Sequence, residues 1–433
     1  MAMDGKELVE KLAKLSQVQS IKDIPQLTHA LFPGTHCPLM GAAMAVGGIK
    51  DSLIVVVGTD ECTYYTKSMT IHSKKFGGID GRCVSVVLDD HDVTFGSAEK
   101  VQEAFKEIIE EYRPQCVFLV TTCVIEIIGD DFDAISEGLS KLYGIPVLPV
   151  HTEHFKCEDH LPGLERTITV CAEMMKSCDC ENSVNLLGQR MGDFATTELY
   201  AMLQKAGVKI GLQLPCGCSV DDIKNAAAAK VNIVVNDIAL PLAQKMQEKF
   251  GIPYVYFNKF VIPEKIYEAY KNLFVYLDLE LPGELEGLYQ NAREKIEKNK
   301  GELEGITYIY GNTPYAVFEM NCFLSSLGMV PQVIQTNRYT EADEPYAKEI
   351  LQYTDPYVCK AANIAPLQYV YDVLSPYLYL GHEFGNRLRQ KGIAIVDSDR
   401  ASGMLGFEVT GYLLQQLVKS VREAKEYRKE LGL

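Results

Sequence analysis

The sequence predicts an α/β protein built as three Rossmann- or flavodoxin-like domains in series, with mostly parallel sheets flanked by helices around a central cleft. Short apolar runs alternate with longer amphipathic stretches along the chain, which is the pattern of stacked βαβ units. Three of the runs open the same way, with strand, glycine and then helix, at Val57-Gly58, Leu187-Gly188 and Tyr310-Gly311. The 433 residues also exceed what one core accommodates; at roughly 150 residues per domain they suggest about three.

In the first domain, taken as 1–180, strands are expected at 52–58, 83–88, 115–121 and 145–150, with helices near 97–113 and 132–143. Ser97 is placed to cap the first of these helices, and Val101 and Phe105 fall on one helical face. The second domain, 181–302, starts after the turn Cys178-Asp179-Cys180-Glu181-Asn182. Its strands are expected at 184–188, 208–212, 231–235 and 254–257, followed by a helical stretch from 262 to 300. A charged linker at 297–302 leads to the third domain, 303–433, with strands at 306–311, 330–335, 377–380 and 393–396. The closing amphipathic helix, 405–428, is expected to pack back, with its charged tail to 433, on the first domain.

Composition narrows the function. A net charge of −16 argues against non-specific nucleic-acid binding, which needs a basic surface. No stretch approaches the ~20 apolar residues of a membrane span. Met1 to Ser16 reads as a charged amphipathic helix, not an apolar signal segment. Thirteen cysteines without a disulfide-scaffold spacing indicate a reducing cytoplasm, where thiols stay free or bind metal.

Three of those cysteines stand where a buried strand gives way to a turn. Cys37 lies in Thr35-His36-Cys37-Pro38, Cys62 in Gly58-Thr59-Asp60-Glu61-Cys62, and Cys123 closes Val117-Phe118-Leu119-Val120-Thr121-Thr122-Cys123. The carboxyl ends of parallel strands converge on one crevice, so thiols placed there can meet. Gathered thiolates commonly hold an iron–sulfur cluster. A cubane takes four ligands, so a second chain or a non-thiolate ligand must complete it.

These segments resemble those of the nitrogenase component 1 superfamily. Thr121-Thr122-Cys123-Val124-Ile125-Glu126-Ile127-Ile128-Gly129-Asp130-Asp131 is similar to the motif of its third cluster cysteine, and His36-Cys37-Pro38-Leu39 and Gly58-Thr59-Asp60-Glu61-Cys62 resemble the first and second. The intervals, 25 residues from Cys37 to Cys62 and 61 from Cys62 to Cys123, also suit dark-operative protochlorophyllide reductase and the cofactor-scaffold proteins. Asp92 to Lys100, Phe250-Gly251-Ile252-Pro253 and Asn258-Lys259-Phe260 extend the resemblance along the chain.

The resemblance implies a cluster, [4Fe-4S] or the double cubane called the P-cluster, shared at a subunit interface and held here by Cys37, Cys62 and Cys123. It further implies an ATP-hydrolysing iron protein as electron donor, and a second component 1-like subunit in a homodimer or α2β2 heterotetramer. A second metallocofactor or a tetrapyrrole would occupy the central cleft. The chain departs from nitrogenase where that cofactor is held: the ligand cysteine falls at Asn236 and the ligand histidine at Asp397. The histidine near the nitrogenase substrate falls at Glu165. Dinitrogen reduction by the usual cofactor is therefore not expected.

Further candidates come from the residues themselves. Cys216 and Cys218 form a C-x-C turn before a helix start capped by Ser219, where lowered thiol pKa would favour ligation in the cleft; two small residues in a tight turn are the plainer reading. His151, His154, Cys157 and His160 crowd one loop after the strand at 145–150, which suits proton delivery or ligation, or merely a polar surface. Cys178 and Cys180 read as an exposed linker, and Cys83, Cys116, Cys171, Cys322 and Cys359 as packing. Neither G-x-G-x-x-G nor a Walker A sequence is present, so ATP chemistry belongs to a partner. The expected function is a nitrogenase-like reductase subunit acting on a substrate other than dinitrogen; the alternatives are a scaffold for assembly of a complex iron–sulfur cofactor, or a non-catalytic structural partner.

Overall fold

The computed structural model describes residues 4–27, 36–71, 81–157, 159–190, 192–311, 313, 315–360 and 364–433. Its first sheet has the order Cys83–Val87, Ser52–Gly58, Cys116–Thr121, Val147–Val150, every pair parallel. Strands inside a parallel sheet are covered on both faces, hence the unbroken apolar runs. Alternation assigns Leu53, Val55 and Val57 to a core shared with the helices Ala98–Tyr112 and Phe132–Tyr143. Ile54 and Val56 point the other way, into a core that continues to Leu187, Leu214 and Val234 of the second sheet.

The second sheet runs Tyr254–Tyr256, Ala229–Val234, Glu181–Gln189, Lys209–Pro215, again parallel. The helical stretch expected over 262–300 is two helices, Pro263–Leu277 and Leu285–Leu303. The first ends at Asp278, whose φ of 59° is left-handed and stops the helix.

The third sheet differs most from expectation. It contains a fifth parallel strand, Tyr357–Cys359, too short to show a period in the sequence. Ala13–Lys14 pairs antiparallel with that strand, so the chain's start joins the third sheet although the sequence reading places it in the first domain. Leu15, Val18 and Ile24 then share a core with Tyr308, Val396 and the closing helix, Glu408–Leu431. That helix lies on the third sheet through Val409, Leu413, Leu417 and Val421, and of the residues taken as the first domain it shares this core with the chain-start residues Leu15, Val18 and Ile24. Ala13–Lys14 and the apolar residues after it bridge the two ends of the chain.

The helices Pro38–Gly47 and Leu161–Val170 cross with glycine against backbone. A Cβ on Gly41 would lie 1.9 Å from the His160 carbonyl oxygen, and one on Gly163 would lie 1.9 Å from that of Pro38. This crossing brings the His160 end of one helix against the Cys37 end of the other. No helix among the described residues is long and apolar enough to cross a membrane.

Candidate metal centre and interdomain cleft

Each of the three thiols sits at a helix start. Cys37 is the N-cap of Pro38–Gly47, with proline at the first helical position, where its missing N–H costs nothing. Cys62 lies in the first turn of Asp60–Ile71, and Cys123 is the first residue of Cys123–Ile128. All three are free and partly buried. Cys62 and Cys123 follow neighbouring strands, and Thr122 Oγ1 ties their turns together by donating to the Val57 carbonyl at 2.9 Å.

The Cys62 and Cys37 sulfurs both act electrostatically on Cys123. Burial pushes the Cys123 thiol up, and the Cys62 and then the Cys37 sulfur add to that by charge repulsion. The Val124 and Cys123 backbone N–H groups act the other way, stabilising the thiolate. Thr59 Oγ1 donates to Cys62 Sγ at 3.5 Å. Among the described residues, only Asp89, His91 and Asp92 bring three ligand atoms within 4.8 Å of one another. There Lys100 Nζ already contacts Asp89 at 3.1 Å and Asp92 at 2.6 Å. The three cysteine sulfurs are thus set wider than the ligands of one zinc ion, whose Zn–S bonds are about 2.3 Å. Three partly buried thiols that interact electrostatically, with backbone donors beside Cys123, are of a chemistry that fits a multi-iron cluster. The surrounding surface carries exposed Tyr64, Tyr65 and Ile127.

The histidine-rich loop does not converge on one point. His160 stands beside His36, ring centroids 6.2 Å apart, on the thiol side; burial first, then Arg190, holds it down at about 4, so it is neutral at pH 7 and carries no proton to donate as a cation. His151 lies 3.2 Å from the Asp133 carboxylate, and His154 packs edge-on to Phe155. His151 and Glu165 do share an open groove of about 1360 Å³ along the edge strand Val147–Val150, together with Asp133, Glu153 and Arg166, but the three cysteines do not line it.

The second site lies where the three domains meet. Glu165, Asp237, Arg338, Asp343 and Glu319 act on one another electrostatically there. Glu165 is raised by burial and by Asp237, against Arg338 and Arg166. Glu319 is pushed up to about 7 by burial, with Lys265 opposing from 3.7 Å and Asp237 adding to the rise. Burial and Asp237 also raise Asp343. The Tyr256 hydroxyl donates to Asp237, and Asn258 Nδ2 donates to the Tyr256 oxygen at 2.9 Å. Burial, then the nearby Arg190, lowers Lys259 to about 7, and its ammonium donates to the Ser402 carbonyl. Arg190, Asp237, Lys259 and Arg338 all lie just past the carboxyl ends of parallel strands. The rule that located the cysteines would have found them too.

Several expected cofactor-binding residues are corrected. Cys218 is 2% exposed in the core between the first two sheets, its thiol pushed up to about 12 by burial and its sulfur electrostatically coupled to that of Cys171. Ser219 caps Val220–Lys224 as expected, yet burial dominates and both C-x-C thiols are raised, not lowered. Cys216 is the partly exposed member, its sulfur 3.9 Å from the Arg190 carbonyl oxygen. Asn236 spends its side chain as a cap, accepting from the Ile238 N–H at 3.3 Å. Asp397 is exposed and accepts from the Asp399 N–H at 3.2 Å, while Asp399 contacts His382 at 3.0 Å. Neither points to a ligand role. Cys178 and Cys180 are exposed, and Cys83, Cys116, Cys171, Cys322 and Cys359 are buried.

Parallel α/β sheets that bring together a cluster of charged side chains, with three thiols at helix starts in the first part of the chain, define the class of architecture. Residues 37–422 match the model of the nitrogenase component 1 type oxidoreductases, and the chain belongs to that family. It is 30% identical over 224 residues to the nitrogenase iron-molybdenum cofactor biosynthesis protein NifE of Clostridium pasteurianum, covering 51% of this chain and 49% of that protein. It is 25% identical over 331 residues to NifE of Rippkaea orientalis, covering 73% and 69%. It is likewise 25% identical over 332 residues to the nitrogenase molybdenum-iron protein alpha chain of Methanosarcina barkeri, covering 72% and 62%. The match to the first of these thus spans about half of that relative's length. The solved structure titled "Nitrogenase Cp1 at pH 6.5" superposes with a TM-score of 0.75 over 93% of this chain and 95% of that one, at 15% identity, a likeness of fold.

Proposed function

We propose that this chain is a scaffold subunit that holds an iron–sulfur cluster on Cys37, Cys62 and Cys123, and carries a complex iron–sulfur cofactor in the interdomain cleft for transfer to an acceptor. The single observation that supports the reading is that the Cys62 and Cys37 sulfurs both act electrostatically on Cys123 while all three thiols stand at helix starts. The scaffold role is supported by similarity to cofactor biosynthesis proteins. The resemblance to nitrogenase puts Asn236 and Asp397 at the positions of its cofactor-ligating cysteine and histidine, and their residue types favour a cargo that can leave.

The thiolates would be the cluster's anchors, and a second component 1-like subunit would supply the missing ligands at the exposed Tyr64, Tyr65 and Ile127 surface. When bound, the cluster accepts and passes single electrons at low potential. An ATP-hydrolysing iron protein would be their source. Beside the second site, Arg190 places positive charge, and the partly exposed Cys216 offers a soft donor.

A second reading, a reductase acting on a substrate other than dinitrogen, is favoured by Glu319, a buried acid that holds its proton up to about pH 7 and can deliver it in the cleft. The test is anaerobic purification with iron and sulfide counting and electron paramagnetic resonance, on wild type and Cys62→Ala. Iron in the wild type and its loss in the variant are expected; an iron-free wild type, or full iron in the variant, refutes the cluster. With an iron protein and reductant, a scaffold releases one cofactor per site to an apo-acceptor, whereas a reductase turns over repeatedly.

A further inference from the structure

Between the thiol turn and the groove, residues 151–157 form an irregular loop held by opposite charges on its two sides. From within, the Glu126 carboxylate accepts four hydrogen bonds. Thr121 Oγ1 donates at 3.1 Å and Thr152 Oγ1 at 2.9 Å; the backbone N–H of Glu153 donates to the same oxygen, and that of His154 to the other at 3.0 Å. From without, the Arg166 guanidinium donates to the Thr152 carbonyl at 2.5 Å and to the His151 carbonyl at 3.4 Å, and pairs with the Glu153 carboxylate. Glu153 itself sits in the left-handed region at φ 44°, a conformation that needs such support. Four donors, three on one oxygen and one on the other, hold the carboxylate in position. Glu126 is three residues past Cys123 on the same short helix, about one turn away.

We propose that Glu126 is a positioning residue for the thiol centre: it locks the 151–157 loop to the Cys123 turn and sets a fixed negative charge one helical turn from that thiol. The inference rests on the reading that Cys123 helps hold a cluster. A negative charge beside a cluster disfavours the incoming electron, so Glu126 lowers the potential at which the cluster is reduced. The hydrogen bonds it accepts from the Glu153 and His154 backbone N–H groups also hold the loop in the metal-free protein. Arg166 closes the same loop with a charge of the opposite sign, so the two residues separate the mechanical from the electrostatic effect.

The experiment compares full-length wild type, Glu126→Gln and Arg166→Gln. Amide exchange of residues 151–157 is read by mass spectrometry on metal-free protein, and iron content and midpoint potential on protein purified anaerobically. Both variants are expected to exchange the loop amides at least about tenfold faster, the factor equivalent to about 1.4 kcal/mol. Both should retain wild-type iron. Only Glu126→Gln should move the potential positive. The proposal is overturned by unchanged exchange in Glu126→Gln, by loss of its iron, or by an equal upward shift of potential in both variants. Absence of iron from wild type refutes the cluster reading and the potential half with it, and the exchange data still decide the loop clamp.

Discussion

Gly58 ends the strand that leads to Cys62, and it abuts the residue before Cys123. A Cβ there would lie 2.1 Å from Thr122 Oγ1, 2.6 Å from Cγ2 and 2.8 Å from its Cβ. Gly58→Ala must therefore push the Thr122 side chain away and break its hydrogen bond to the Val57 carbonyl, 2.9 Å long in a buried site. Overpacking of this kind costs about 1–3 kcal/mol. The lost hydrogen bond adds about 1 kcal/mol. The smaller entropy of an unfolded alanine offsets about 0.5–1 kcal/mol. The net expectation is a loss of about 2 kcal/mol, centred on the turn that places Cys123. Thr122→Ala removes the two closest atoms, so the double variant should cost at least 1 kcal/mol less than the sum of the single ones. Urea midpoints of the four proteins close the cycle, with iron content measured in parallel: low in Gly58→Ala, partly restored in the double variant. Additivity within about 0.5 kcal/mol would show that the two turns are not in contact as described.

Two further expectations concern the cleft. Glu319 is raised in the fold to about 7 from an ordinary 4.5, so its protonated form contributes stability that is full below about pH 4.5 and lost as pH rises through 7. Glu319→Gln should flatten that fall, gaining about 2–3 kcal/mol on the wild type between pH 4 and pH 8; parallel urea-midpoint curves would refute the burial of this acid. Lys259 is lowered to about 7 from 10.5, so the unfolded chain holds its proton where the folded chain does not, and wild-type stability rises from about pH 7 toward 10.5. Lys259→Met should remove that rise and gain of order 3 kcal/mol at neutral pH. A variant with the wild-type pH dependence would place the ammonium in water.

Much of the fold was legible because local pattern and global role agree. Buried runs such as Ser52–Gly58 and Cys116–Thr121 read directly as central parallel strands, since apolar side chains on both faces leave no alternation. The helix Ala98–Tyr112 showed its buried stripe at Val101, Phe105 and Ile108. Tyr357–Cys359 and Ala13–Lys14 were not legible, because two or three residues make no period and their pairing depends on a partner more than 340 residues away in sequence. The closing helix was legible as a helix, but an amphipathic face does not say which sheet it meets.

The site divides in the same way. Expected strand-end position singled out Cys37, Cys62 and Cys123; Cys62 and Cys123 do follow neighbouring parallel strands, whereas Cys37 caps a helix with no strand leading into it among the described residues. Residue type misled at Cys218, where a capped helix start suggested an activated thiol and burial set the opposite shift. It misled again in the histidine loop, whose three rings part toward Asp133, Phe155 and His36. Sequence alone determined that Cys62 and Cys123 would follow buried strands and that strands and helices would alternate, since both follow from local chemistry and spacing. Only the tertiary structure decided that Glu165, Asp237, Glu319 and Arg338 share one field and that Lys259 lies buried near Arg190. Electrostatic coupling falls with distance and rises with burial, and neither is a property of any residue by itself.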